Sequence, residues 1–450
     1  MYLARPAMRA DPTDLPTRAA LAKDLLTLAT PIALGFVGTN LMALVDTAMV
    51  RPLGPSAVGG VGLGGAIYGF VYLAGIGLLL GVDRVAAVGL GAGRRDDVTR
   101  ALVGGVTLAL TAGIPLALLL RFVAGHIDVF GVSPELVPVA SAFLRILAPA
   151  IIPALVFTAA RQALQALDDT AAATAILLAA NGVNAVADLA FVRGHFGVTP
   201  LGAAGAGLAT LISQTFMALC LLAWCARRGL GLRRVGLRAD PATLRELLRL
   251  GLPASAHLLL EVGSFSLVAV LAARINTVSA AAHQVVIQVA SFTFMVPLGL
   301  SLAGSVRVGH SVGREDLPLA RRYGEVTVAL GAAFMLCTGL TFTLAWRPIL
   351  GTFADDPAVL ALARTMLGVA ALFQLFDGMQ VTLSGVLRGA GDARSSMVAN
   401  LLGHWGIGVP AGCALAFGAG LGVVGLWVGL AVGLGSVAMI LLWRWQRRWR

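Results

Sequence analysis

LRLGLPASAHLLLEVGSFSLVAVLA, residues 248–272, is a nearly unbroken apolar run with one acid, Glu261, close to its middle. At about 1.5 Å of rise per residue the run crosses the hydrocarbon core of a bilayer. Glu261 then lies near the midplane, where an ionised carboxylate costs roughly 2.5–3.5 kcal/mol or more. An acid kept there has to face a polar interior. Helical spacing puts His257 at i−4 and Ser264 at i+3 on the same stripe, so the stripe is a candidate functional surface rather than a lipid-facing one.

The rest of the chain is built in the same way. Of its 450 residues 58% are hydrophobic and only 12% charged, with 55 glycines and a mean hydropathy of +0.88, which is far from a soluble domain and typical of a polytopic membrane protein. The net charge of +11 does not point to nucleic acid, because no basic helix or aromatic-interleaved patch accompanies it. Cys220, Cys225, Cys337 and Cys413 sit in or at the ends of apolar runs without metal-ligand spacing. Residues 1–24 are polar and proline-bearing and are read as a cytoplasmic segment, not a removable signal peptide.

Apolar runs recur at 25–50, 57–81, 98–122, 139–163, 171–192 and 201–226, then at 248–272, 280–305, 323–346, 361–385, 395–418 and 421–443. The expectation is an all-α integral membrane protein of twelve transmembrane helices. The first six make one lobe (25–226) and the second six another (248–443), with a cytoplasmic linker at 227–247 and a tail at 444–450. Alternating the spans puts about 26 Lys and Arg on the side of both termini and about 7 on the other, so both termini are expected in the cytoplasm and the protein in the cell (inner) membrane. The linker carries Arg227, Arg228, Arg233, Arg234, Arg238 and Arg245, and Asp240-Pro241 reads as the cap of a short amphipathic helix.

The halves are repeats. Leu28-Ala29-Thr30-Pro31 returns as Leu250-Gly251-Leu252-Pro253, Gly93-Arg94 as Gly313-Arg314, and Leu164-Gln165-Ala166 with Asp169 as Leu387-Arg388-Gly389 with Asp392. Six spans separate the copies, an even number, so they enter the membrane in the same direction and are related by a pseudo-two-fold along the membrane normal. Such pairs place a cleft between the lobes and alternate access by rocking.

Other acids fall within the spans. Asp46 lies near the outer end of the first; Asn181, Asn184 and Asp188 form one stripe of the fifth. Two carboxylates and amide oxygens at one depth can hold a proton or a hard cation such as Na+, with Asp46, Asn184 and Asp188 as its ligands; the alternative is that each acid reaches the headgroups or pairs with Arg51 or Arg193. In the second half, Asp377 shares a stripe with Gln374, Gln380 and Ser384. Burial disfavours a charged carboxylate, and a second carboxylate nearby disfavours it further, so such acids can trade a proton for a cationic substrate. His257, Ser264, His283, Gln284, Gln288, Gln374 and Gln380 are candidate substrate contacts, with helix-to-helix hydrogen bonding as the plainer reading of the eighth-span residues. His404 and Trp405 are candidates for lining the second lobe. Pro31, Pro253 and Pro297 are expected to kink their helices, and Asp168, Asp169, Asp392, Arg94 and Arg314 to cap span ends.

Met42-Ala43-Leu44-Val45-Asp46-Thr47-Ala48-Met49-Val50 with Leu53-Gly54, Glu261 in its Leu252-Pro253 context, Ala282-His283-Gln284, Val306-Arg307-Val308-Gly309 with Gly313, and Gly385-Val386-Leu387-Arg388-Gly389 with Gly391-Asp392 together resemble the multidrug and toxic compound extrusion (MATE) family. The resemblance implies a cation-coupled antiporter of two six-helix lobes that exports mostly cationic drugs or metabolites against H+ or Na+, with no cofactor, small molecules and the bilayer as partners, and a monomeric state. In the NorM-like branch the matching coupling positions are Asp46, Glu261 and Asp377. Arg51 stands where the family pattern usually has Gly, and Asn184 and Asp188 resemble the first-lobe cation site of the DinF-like branch. A lipid-linked oligosaccharide flippase of the same superfamily would need a basic cleft, whereas the acids within the spans favour cation export. A channel would show no counterflow, and a membrane-embedded enzyme would need a nucleophile or metal constellation that His257 and Glu261 do not supply.

Overall fold

The computed structural model describes residues 15–230, 236 and 238–450; the first fourteen residues and the linker arginines Arg233 and Arg234 lie outside the described residues. A backbone in hydrocarbon can satisfy its N–H and C=O groups only internally, and the described chain is helical, without strands, in twelve spans. They are α1 (Arg18–Val50), α2 (Pro55–Gly91, bent at Leu80-Gly81), α3 (Arg95–Ala124), α4 (Val137–Ala166), α5 (Thr170–Phe191), α6 (Ala203–Arg227), α7 (Pro241–Ile275), α8 (Thr277–Gly313), α9 (Leu317–Leu344), α10 (Pro357–Gly389), α11 (Ala393–Gly418) and α12 (Gly422–Arg448).

The helices outrun the apolar runs, chiefly at the end of the molecule that carries both termini. There the chain has left hydrocarbon and polar residues no longer stop a helix; caps do. Asp240 accepts from the backbone N–H of Ala242 and Thr243 and opens not a short separate helix but the whole of α7. Asp316 and Asp392 cap α9 and α11 through Leu319 and Ser395. The capping expected at Asp168 and Asp169 gives way to other partners: Asp168 accepts from Arg307 at 2.8 Å, and Asp169 from the Trp224 indole at 2.8 Å. Pro31, Pro253 and Pro297 stay inside α1, α7 and α8.

The two six-helix lobes meet chiefly where α1 and α2 pack against α7 and α8. The approach is backbone to backbone. A methyl group at Gly251 would run into the Leu78 carbonyl, one at Gly313 into that of Val88, and one at Gly91 into that of His310. Polar links reinforce this seam. Arg307 of α8 donates to Asp24 and Asp168, both at 2.8 Å, Tyr323 donates to Asp24 at 2.8 Å, and Arg84 of α2 donates to Glu246 of α7 at 2.9 Å. The innermost link joins Asp83 of α2 to Arg388 of α10 at 3.5 Å, with side chains 0% and 6% exposed. The lobes are therefore clamped at the terminus-side end.

Candidate functional site

Beyond the seam a cavity of about 410 Å³ opens, lined from α7 by His257, Glu261 and Phe265, from α8 by His283, Gln284 and Phe294, and from α10 by Phe373, Asp377 and Arg388, with Leu73 and Leu80 of α2 closing one wall. The cavity lies where the lobes face each other, as expected, but its lining comes almost wholly from the second lobe. The α2 bend at Leu80-Gly81 is what lets the first lobe touch it.

Glu261 is the centre of this cavity's polar wall. It is 6% exposed. Its Oε1 accepts from Gln380 Nε2 at 2.6 Å, and its Oε2 lies 3.1 Å from His257 Nε2, one turn earlier on α7, at ion-pair distance though not aligned for a hydrogen bond. Asp377 opens onto the same space, near enough for the two carboxylate charges to interact. Neither acid meets lipid and, among the described residues, neither is paired with arginine.

The other second-lobe candidates divide. His283 lines the cavity and accepts from the Trp427 indole at 3.2 Å; Gln284 also faces it. Ser264 is turned back to the Glu261 carbonyl at 2.7 Å. Gln374, expected as a substrate contact, does not line the cavity; it donates to Thr293 at 2.6 Å and Thr338 at 3.3 Å, knitting α10 to α8 and α9. Gln288 is exposed and does not line the cavity, and Gln380 reaches it only through Glu261.

The first lobe holds a second acid cluster. Asp46 of α1 accepts from Thr210 of α6 at 2.8 Å, and Asn184 and Asp188 of α5 lie beside it, both 0% exposed. The remaining Asp46 oxygen, both Asp188 oxygens and both Asn184 side-chain polar atoms are buried without a hydrogen-bond partner. Unsatisfied atoms at this density are what a cation or proton site would use, since leaving them bare is costly. Neither acid pairs with Arg51 or Arg193 among the described residues. Asn181 does not join them; its amide donates to the Gly38 and Leu177 carbonyls at 3.2 and 2.9 Å. Thr210 was not legible as a partner of Asp46, because a lone threonine in an apolar span looks like any other.

Three further residues escaped the sequence reading. Asp83 and Arg388 signal their pairing only once α2 and α10 are side by side. Arg161 of α4 lies in the first-lobe interior, over the rings of Phe36 at 5.3 Å and Phe157 at 5.8 Å, an arrangement that a lone arginine in a span already hints at.

A family model described as MatE matches residues 31–190 and 253–413, one segment in each lobe. The chain is 37% identical to a protein of Mesorhizobium japonicum named "Probable multidrug resistance protein NorM", over 94% of this chain and 93% of that one. It is 34% identical to "Multidrug resistance protein NorM" of Burkholderia vietnamiensis, over 96% and 95%. Among solved structures, the eukaryotic MATE transporter AtDTX14 is similar with a TM-score of 0.86 at 20% identity, covering 96% of this chain and 98% of that one. A MATE crystal structure in a bent conformation gives 0.87 at 19% identity, over 97% and 98%. At that identity the likeness concerns the fold.

Proposed function

Because this chain belongs to the multidrug and toxic compound extrusion (MATE) family, we propose that it is a cation-coupled antiporter that exports organic, mostly cationic drugs or metabolites by alternating access, in exchange for H+ or Na+. The observation that carries this reading is Glu261 on the wall of a 410 Å³ cavity, with Asp377 on the same wall and, among the described residues, neither acid ion-paired with an arginine; Arg388, which also lines the cavity, pairs with Asp83. Two ionised carboxylates beside aromatic rings attract a lipophilic cation. A coupling ion that cancels the carboxylate charge removes the attraction, so cargo and ion compete and loading one releases the other. Asp46, Asn184 and Asp188, with Thr210, form the first-lobe coupling site. Na+ is the metal ion suited to their oxygens.

The energetics set what the exchange can draw on. One elementary charge moved through the membrane is worth about 2.3 kcal/mol per 100 mV. A one-for-one swap of H+ against a monovalent drug is electroneutral and uses only concentration gradients; a second coupling ion adds the potential. The transporter sits in the inner cell membrane as a monomer, both termini in the cytoplasm on the arginine-rich side, which makes the clamped seam the cytoplasmic gate. The test is efflux of a cationic dye from proteoliposomes under an imposed pH or Na+ gradient. Glu261→Gln keeps the Gln380 contact but not the charge and is expected to abolish exchange in a folded protein. Normal exchange by this variant would remove Glu261 from the mechanism.

A further inference from the structure

Helix α11 carries an irregularity that the antiport reading leaves unused. Over Leu401–Gly408 its backbone is π-wound, with the Val409 N–H bonded to the His404 carbonyl five residues back. Such segments are rare and concentrate at functional positions. This one delivers His404 into the second lobe, 1% exposed. Both of its ring nitrogens are buried without a hydrogen-bond partner, although a neutral imidazole has one nitrogen that donates and one that accepts. The ring stands 6.1 Å from that of Phe265 on α7, and Trp405, the next residue, donates its indole N–H to the carbonyl of Leu260 at 2.9 Å. Leu260 directly precedes Glu261, so the π-wound turn is tied to the backbone that bears the acid.

The groups facing His404 can be named helix by helix. From α7 come Glu261 and His257, both close enough for their charges to interact with the ring; from α10 comes Asp377, acting through Glu261. From α12 the neighbour is Gly433, and between Gly422 and Trp443 that helix carries no titratable residue. One carboxylate is thus served by two imidazoles, His257 one turn away along its own helix and His404 from another helix. The first-lobe cluster of Asp46, Asn184, Asp188 and Thr210 contains no imidazole. Hard cations such as Na+ select oxygen ligands, imidazole nitrogen suits softer metals, and a protonated imidazole repels any cation. Imidazole does bind H+ in the physiological range.

Resting on the antiport reading above, we propose that His404 is a coupling residue of the second lobe, and that with His257 it makes the Glu261 centre a proton site, distinct from the oxygen-only centre of the first lobe. With cargo absent, a proton taken from water is held on an imidazole nitrogen beside the ionised Glu261 carboxylate; when the cation reloads, that N–H proton is released to water and leaves a neutral imidazole, and when cargo departs a proton from the opposite side returns to the nitrogen, so that one positive charge balances Glu261 throughout.

The experiment measures binding of tetraphenylphosphonium to the purified full-length protein in detergent as a function of pH, with and without Na+. The slope of log affinity against pH counts the protons displaced. In His404→Gln it is expected to fall by about one proton across the imidazole range, and half-release is expected to move to more acid pH, while the Na+ response measured at pH 8 matches that of the wild type. His257→Gln, which keeps a polar side chain at a different point of the cluster, is expected to lower the same slope and carries the test if His404→Gln does not fold. Unchanged pH profiles in the folded variants, or loss of the Na+ response with the pH response intact, would overturn the assignment. Wild-type binding that ignores both pH and Na+ would instead sink the antiport reading itself.

Discussion

Arg388→Met is the sharpest perturbation of the clamped state. It removes one partner of the Asp83–Arg388 pair, whose side chains are 0% and 6% exposed and which joins the two lobes at 3.5 Å. Deleting one member of a buried pair strands the other charge and typically costs about 3–5 kcal/mol. The Arg84 backbone N–H still donates to Asp83 at 2.6 Å, so the low end of that range applies, about 3 kcal/mol. The cost falls on the state in which the lobes touch, because on parting Asp83 gains water. At 1.4 kcal/mol per factor of ten, this is roughly a hundredfold shift in the equilibrium between clamped and parted lobes. Spin labels on the exposed positions Asp96 and Arg394, which flank the seam from opposite lobes, report the shift by pulsed dipolar distance measurement: the short-distance population of the wild type should give way to a longer one. Asp83→Asn combined with Arg388→Met leaves no stranded charge and should restore the short distance. A single variant whose distribution matches the wild type would refute the idea that this pair holds the clamp.

Two further outcomes can be checked with less. Gly251→Val places a branched side chain against the Leu78 backbone and should abolish dye efflux while leaving the amount of protein in the membrane unchanged, because each lobe still packs its own core. Asp392 lies outside the spans at the start of α11. Burial pushes its carboxyl up, but the Arg444 guanidinium at 2.7 Å and the Ser395 hydroxyl and N–H outweigh it and hold it below the usual carboxylate range. A depressed native value means that its stabilisation is present above the unfolded-state value near 3.9 and is lost as pH falls through the native one. Asp392→Ala should therefore melt lower in detergent at pH 7, by an amount matching a lost cap of about 1–2 kcal/mol, and the gap should close only in strong acid.

Much of this was legible because hydrophobicity acts locally. Twelve apolar runs dictate twelve helices, and Glu261 in the middle of one, with His257 a turn away, declares an inward-facing stripe before any packing is known. The Asn184 and Asp188 spacing likewise survives in the fold, since both are set by one helix. What stayed hidden depends on partners brought from far along the chain. Asp83 and Arg388 look like ordinary span-end charges until α2 meets α10, Thr210 until α6 brings it to Asp46, and Gln374 points to α8 and α9 instead of the cavity because Thr293 and Thr338 offer it better hydrogen bonds. Helix ends were misplaced for a different reason: hydropathy marks where lipid stops, while Asp240 and the other caps mark where the helix stops.

The seam closed by Gly91, Gly251 and Gly313 also bears on leakage. Dispersion between bare main chains fades within the first ångström of separation, and a slit narrower than a water molecule holds nothing that could fill it. Such a joint has no stable half-open width: it is either shut dry or wide enough for a full hydration layer. A transporter built on it cannot idle with a thin aqueous thread running from one face to the other.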